Sequence, residues 1–105
     1  KGLPWEKAKA FDNSAPIGKF TNKSTLDLKN MSFELKINGQ SKQIGNSDQM
    51  IFSIDKIISY VSKFVSLKVG DLIYTGTPEG VGPIKIGDSL EGFLNGEKFL
   101  QMTVK

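Results

Sequence analysis

Residues 75–83 read Thr-Gly-Thr-Pro-Glu-Gly-Val-Gly-Pro, with three glycines and two prolines in nine positions. An apolar run, Leu72-Ile73-Tyr74, leads straight into them. Glycine lets a backbone come close to another group, and Thr75 and Thr77 add two hydroxyls that can donate or accept. Two known phosphate loops do not fit. Gly-x4-Gly-Lys-Ser/Thr needs a lysine after its second glycine and a helix behind it, whereas Gly82 here leads into Pro83. Gly-x-Gly-x-x-Gly fails after Gly82 as well. A structural turn and a ligand-holding loop both satisfy these residues.

Lys9 is the second candidate, set between alanines in Lys-Ala-Lys-Ala-Phe and flanked by Trp5 and Phe11. A lysine among apolar neighbours can lose its proton and act as base or nucleophile, or keep its charge beside an anion. It can equally lie on the surface with its stem over the tryptophan. Other chemistries are closed. The chain has no histidine and no cysteine, so Ser-His-Asp triads, imidazole or thiolate ligands and disulfides are excluded. No Asp-x-Asp or Glu-x-Glu pair occurs, and Asp88 with Glu91 is the nearest approach to one by the loop. No metal ligand is therefore assigned within these 105 residues.

The elements that must hold these residues follow from periodicity. Pro4 and Pro16 oppose helix over the first 23 residues. Met31 to Ile37 alternates as a half-buried strand, and Asn38-Gly39 is a hairpin signal. The returning strand is predicted over Ser41 to Ile44, with Gly45 ending it. Ser53 suits a helix N-cap, and Asp55 suits the first turn. Ile54, Ile57, Ile58, Val61, Phe64 and Val65 form one apolar stripe, expected to pack into the core. Lys-Val-Gly-Asp (68–71) and Lys-Ile-Gly-Asp (85–88) read as twin turns. Between and after them, strands are predicted over Leu72 to Thr75, and over Ser89 to Leu94 and Lys98 to Val104 joined across Asn95-Gly96-Glu97. Many strands with one helix make the fold class α+β.

The net charge is +3, and all fourteen basic residues are lysines spread from end to end. Without arginine or a basic cluster, nucleic-acid binding is not expected. No apolar run approaches the ~20 residues of a membrane span, so no membrane partner is expected and the cytoplasm is the default location.

Three segments in order resemble the fumarylacetoacetate hydrolase family, in its smaller acylpyruvase-like branch. Residues 1–18 are similar to its Gly-x-Pro-Trp-x-x-Ala-Lys-x-Phe-Asp segment. Residues 37–62 are similar to its Asn-Gly hairpin, its Gln-x-Gly segment and its Met-Ile-Phe lead into a helix. Residues 69–88 are similar to its Gly-Asp-x-Ile-x-Thr-Gly-Thr-Pro-x-Gly-Val-Gly-Pro signature. The resemblance implies a mixed β-sandwich roll, usually a homodimer. It also implies a 2-oxo acid substrate and a divalent metal, Mg2+ or Mn2+, that stabilises an enolate. Hydrolysis of acylpyruvates is the leading activity implied, with oxaloacetate decarboxylation and hydroxyhepta-dienedioate isomerisation beside it. By the same resemblance Lys9 is the catalytic lysine, and Gly76 and Thr77 contact the substrate's oxo-acid end. The family's Glu-x-Glu and aspartate metal ligands lie upstream of its Gly-Leu-Pro-Trp segment. Residues 1–105 are thus expected to be the C-terminal portion of one catalytic domain, inactive alone. A catalytically inactive interaction module is the rival expectation.

Overall fold

The computed structural model of the protein describes residues 15–105. Two β-hairpins make one four-stranded antiparallel sheet in the order β2-β1-β3-β4. The strands are β1 (Ser32–Ile37), β2 (Gln40–Asn46), β3 (Ser89–Leu94) and β4 (Glu97–Thr103). One helix, α1 (Ile54–Val61), lies between the hairpins in sequence. The architecture is α+β, as the periodicities predict.

Both hairpins close on Asn-Gly pairs. Asn38 and Gly39 have φ of 52° and 81°, and Asn95 and Gly96 have φ of 51° and 82°. Two successive positive φ values match the right-handed twist of the flanking strands, which is why this dipeptide makes tight hairpins. Each asparagine also reaches across to the other hairpin. The Asn38 N–H donates to the Ser89 carbonyl at 2.8 Å, and the Ser89 N–H donates to Asn38 Oδ1 at 2.9 Å. At the other end the Asn95 N–H donates to the Ser32 carbonyl at 2.8 Å, and the Ser32 N–H donates to Asn95 Oδ1 at 2.9 Å. The antiparallel β1–β3 pair, Phe33 opposite Leu94 through Ile37 opposite Leu90, is clasped at both ends.

Alternation then sorts the faces. Phe33 and Leu35 share one face with Gln43, Gly45, Gly92, Leu94 and Leu100, by the register of the ladders. The opposite face carries charge: the Lys36 ammonium stands 5.1 Å from the Phe93 ring, and Lys98 pairs with Glu91 at 2.7 Å. Two register shifts interrupt the ladders, one opposite Leu35/Lys36 and one beyond Gly92. They leave Lys42 and Phe99 as the extra residues of β2 and β4. Buried hydrophobic residues among those described are only Met31 and Leu90, and much apolar surface is left open.

Three expectations are corrected. β2 does not stop at Gly45. It runs to Asn46, because Gly45 pairs with Phe33 and its missing side chain makes room for Pro78. α1 ends at Val61 rather than carrying its stripe to Val65. Its Ser53 cap is as predicted, with the hydroxyl accepting the Lys56 N–H at 3.2 Å, but after Ser62 the chain tightens and Phe64 N–H bonds back to the Val61 carbonyl. Nor is the stripe buried: no residue of α1 is, and Phe64 is 72% exposed. Finally, Leu72 to Thr75 forms no strand. It has no ladder partner among the described residues, and Tyr74 is 66% exposed.

The twin Lys-x-Gly-Asp turns form as expected and share one device. The Lys68 N–H donates to Asp71 Oδ2 at 2.8 Å, and the Lys85 N–H donates to Asp88 Oδ2 at 2.9 Å. Asp88 is buried, and its other oxygen accepts from Asn38 Nδ2 at 2.9 Å, which ties the second turn to the first hairpin. The Lys85 backbone N–H first, and the Asn38 amide second, hold the Asp88 carboxyl below its ordinary value. A depressed carboxyl stabilises the fold fully above its unfolded pKa of about 4 and loses that contribution as pH falls toward the folded value. Asparagine at 88 would have one oxygen where two are used. In urea melts of the protein carrying this chain, Asp88→Asn should lower the midpoint by a constant amount from neutral pH to about 5, and the gap should close below about pH 4. A gap that stays constant to pH 3 would show that the carboxylate is not what the turn uses.

Candidate functional site

The loop of residues 75–80 lies on β2, the edge strand, through three local fits. Pro78 packs on Gly45, where a Cβ would come within 2.9 Å of the proline Cβ. Gly80, at φ 106°, sits over the Lys42 carbonyl, which a side chain at 80 would strike. Lys42 is the extra residue of the β2 bulge, so its carbonyl is turned from the regular ladder. The third fit is polar. Gln43 Nε2 donates to Thr77 Oγ1 and to the Pro78 carbonyl, each at 2.8 Å.

Beside this loop a cavity of about 760 Å³ opens over the apolar face of the sheet. Phe33, Leu35, Leu94 and Leu100 form its floor, Met50 and Ile57 stand on one side, and Thr75 to Pro78 form part of its rim. Gly18 and Lys19 close another side. The Lys19 N–H donates to the carbonyl of Phe99, the extra residue of the β4 bulge, at 2.8 Å. The Lys19 ammonium lies 4.7 Å from the Phe99 ring and 3.8 Å from Glu97, so its charge is already engaged.

Of the residues singled out from the sequence, Gly76 and Thr77 lie together on the cavity rim. Gly76 has φ of 103°, and none of the described residues comes within 4 Å of a would-be Cβ. Its backbone conformation, rather than crowding by them, calls for glycine. Lys9, with its neighbours Trp5 and Phe11, lies outside the described residues. Gln43 opens the Gln-x-Gly segment of residues 43–45, to which the sequence by itself assigns no site role; its phase with the inward positions of the first hairpin is the signal that places it here. Among the described residues no group of three acidic side chains stands close enough to hold a metal ion. The ligand set of a divalent ion is therefore not supplied by them.

The sequence matches the fumarylacetoacetate (FAA) hydrolase C-terminal family over residues 1–104. The chain belongs to the fumarylacetoacetate hydrolase family. It is 48% identical over 106 residues to the mitochondrial oxaloacetate tautomerase FAHD1 of Mus musculus, covering 100% of this chain and 48% of that protein. It is 50% identical over 91 residues to the oxaloacetate tautomerase YcgM of Escherichia coli K12, covering 85% of this chain and 42% of that protein. Among solved structures, a fumarylpyruvate hydrolase from Pseudomonas aeruginosa in complex with Mn2+ and pyruvate superposes with a TM-score of 0.88 at 40% identity. That superposition covers 98% of this chain and 45% of the hydrolase. A family member from Yersinia pestis CO92 reaches a TM-score of 0.91 at 45% identity, over 99% of this chain and 49% of its own. The chain spans about half the length of the curated relatives it matches.

The seat of the loop is testable through its glycines. Gly45→Ala places a methyl against Pro78, and relieving such overpacking typically costs about 1–3 kcal/mol. Exchange of the Gln43 side-chain NH2, which bonds Thr77 and Pro78, should accelerate, while the β3–β4 amides keep their protection. Unchanged exchange of that NH2 would mean that the fit of Pro78 on Gly45 does not hold the loop.

Proposed function

We propose that this chain supplies the substrate-gripping side of a 2-oxo-acid enzyme whose reaction is the keto–enol interconversion of oxaloacetate. One observation carries the reading: Gly76 and Thr77 stand together in the lining of one cavity. They do so in a chain 45–50% identical to proteins named oxaloacetate tautomerase. In that reaction a C3–H bond breaks, its electron pair forms the C2–C3 double bond, and the C2 oxygen gains a proton. Negative charge builds on the C2 oxygen on the way, and a hydroxyl or amide donor placed there lowers the barrier. Thr77 is that donor in this proposal. Lys9, carried over from the family segment, holds a positive charge near the same oxygen. A Mg2+ or Mn2+ ion belongs in this proposal to residues other than those described.

A second reading has its own support in the Pseudomonas aeruginosa neighbour, named a fumarylpyruvate hydrolase. The apolar floor of the cavity suits an acyl chain. In acylpyruvate hydrolysis water adds to the distal carbonyl, the C–C bond breaks, and its electron pair passes into pyruvate enolate, which is then protonated at C3. Both reactions develop the same oxyanion, so the oxo-acid grip serves either one.

The intact enzyme carrying this chain should equilibrate enol- and keto-oxaloacetate, followed by the ultraviolet absorbance of the enol, faster than it cleaves acetylpyruvate. The reverse order of specific activities would favour the hydrolase. Lys9→Ala should reduce kcat more than it raises KM, since its charge acts on the developing enolate. Thr77→Val should lower kcat/KM about ten- to hundred-fold, the effect of losing one hydrogen bond to a charged oxygen, worth roughly 1.5–3 kcal/mol. Near-normal kinetics in both variants would overturn the placement of the site.

A further inference from the structure

The bond between Gln43 and the loop settles which way the Thr77 hydroxyl can point its proton. The carbonyl of Pro78 can only accept a hydrogen bond, and a proline has no N–H to offer. The end of the Gln43 carboxamide that faces this carbonyl at 2.8 Å must therefore be its NH2. That same nitrogen lies 2.8 Å from Thr77 Oγ1. An NH2 group has two hydrogens, and here one goes to each oxygen. Thr77 is thus an acceptor toward Gln43, and its own single proton is left to point elsewhere. Among the described residues it donates to no protein acceptor, and Thr77 lines the cavity.

We infer that Gln43 is a positioning residue that occupies one acceptor site of Thr77 and so frees its proton for the cavity, favouring a ligand oxygen that only accepts: a carboxylate, keto or enolate oxygen. The inference rests on the proposal that Thr77 meets the substrate, and it adds the polarity of that contact. Gln43 is half-buried and held in the β2 ladder opposite Leu35. The strand that seats the loop also sets the loop's chemistry. Accepting one bond polarises a hydroxyl and strengthens the bond that it donates, which favours the charged oxygen of the enolate over the neutral ketone.

The test compares Gln43→Met and Gln43→Glu in the intact holoenzyme, with Thr77→Val alongside. Methionine keeps length and bulk but neither donor, leaving nothing to fix the rotation of the Thr77 hydroxyl. A loss in kcat/KM of about ten-fold is expected, for one weakened charge-assisted bond. Glutamate is the sharper probe. Its carboxylate would accept the Thr77 proton and turn the hydroxyl around, so at neutral pH the loss should exceed that of Gln43→Met. Its protonated form can again donate, so relative to wild type Gln43→Glu should recover as pH falls, whereas Gln43→Met should not. Glu34 and Lys36 beside Leu35 on β1, Lys42 on β2 and Glu79 on the loop are common to all these proteins. Their titration cancels in the ratio to wild type.

A purely structural role for Gln43 would give two variants with parallel pH profiles, and that result would overturn the inference. So would full activity in Gln43→Met while Thr77→Val is impaired, because Thr77 would then need no positioning. A silent Thr77→Val would sink the underlying placement of Thr77 itself, and the polarity inference with it. In the Thr77→Val background the effect of Gln43→Met should shrink to near nothing, since the group it orients is gone.

Discussion

The fold hangs on the pairing of β1 with β3, and that pairing is locked by two asparagines. A residue at the first position of a type I′ turn must take positive φ, which asparagine tolerates better than most residues. Asn38 and Asn95 do this, and each then spends its side-chain oxygen on the backbone of the opposite hairpin. The clasp sets the register, and register decides everything on the faces. A slip of one residue between the hairpins would set the Phe33 and Leu35 side of one against the Glu91 and Phe93 side of the other.

The two bulges convert that sheet into a scaffold for loops. A bulged residue is left out of regular pairing, so its carbonyl can face something other than a strand. At Phe99 the carbonyl receives the Lys19 N–H, with Gly18 passing too close for any side chain. At Lys42 it lies beneath Gly80, again too close for a side chain. One cavity wall and one rim loop are thus docked in the same manner on opposite edges of the sheet. The bonds that hold the rim loop are few and neutral, each worth on the order of 1 kcal/mol net. Segments held so lightly open more readily than strands, which suits a rim that must admit a ligand.

In the proposed site the described residues offer donors rather than bases. Thr77 would contribute its hydroxyl, while the charged pairs Lys98–Glu91 and Lys19–Glu97 lie on the sheet itself. A donor array stabilises an oxyanion without needing to titrate. Such an array serves any reaction that passes through an enolate, and relatives of similar identity accordingly carry different activities in their names.

What the amino-acid sequence determined by itself was local. The Asn-Gly turns, the Ser53 cap and the Lys-x-Gly-Asp turns are each decided by residues within four positions of one another, and all form as read. The α+β class and the family signature followed from ordered segments of the same kind. Wherever the outcome needed a distant partner, the tertiary structure decided. Gly45, which locally reads as a strand end, continues the strand because Pro78, 33 positions on, packs against it. Leu72 to Thr75 has a strand-like run of side chains but no neighbouring backbone among the described residues, and a strand exists only when its N–H and carbonyl groups are paired. Gln43 looks like an ordinary polar residue in a hairpin until a loop 34 positions away brings it two acceptors. A turn is a property of the chain's own dihedral angles, whereas a ladder, a buried stripe or an oriented hydroxyl belongs to two segments at once.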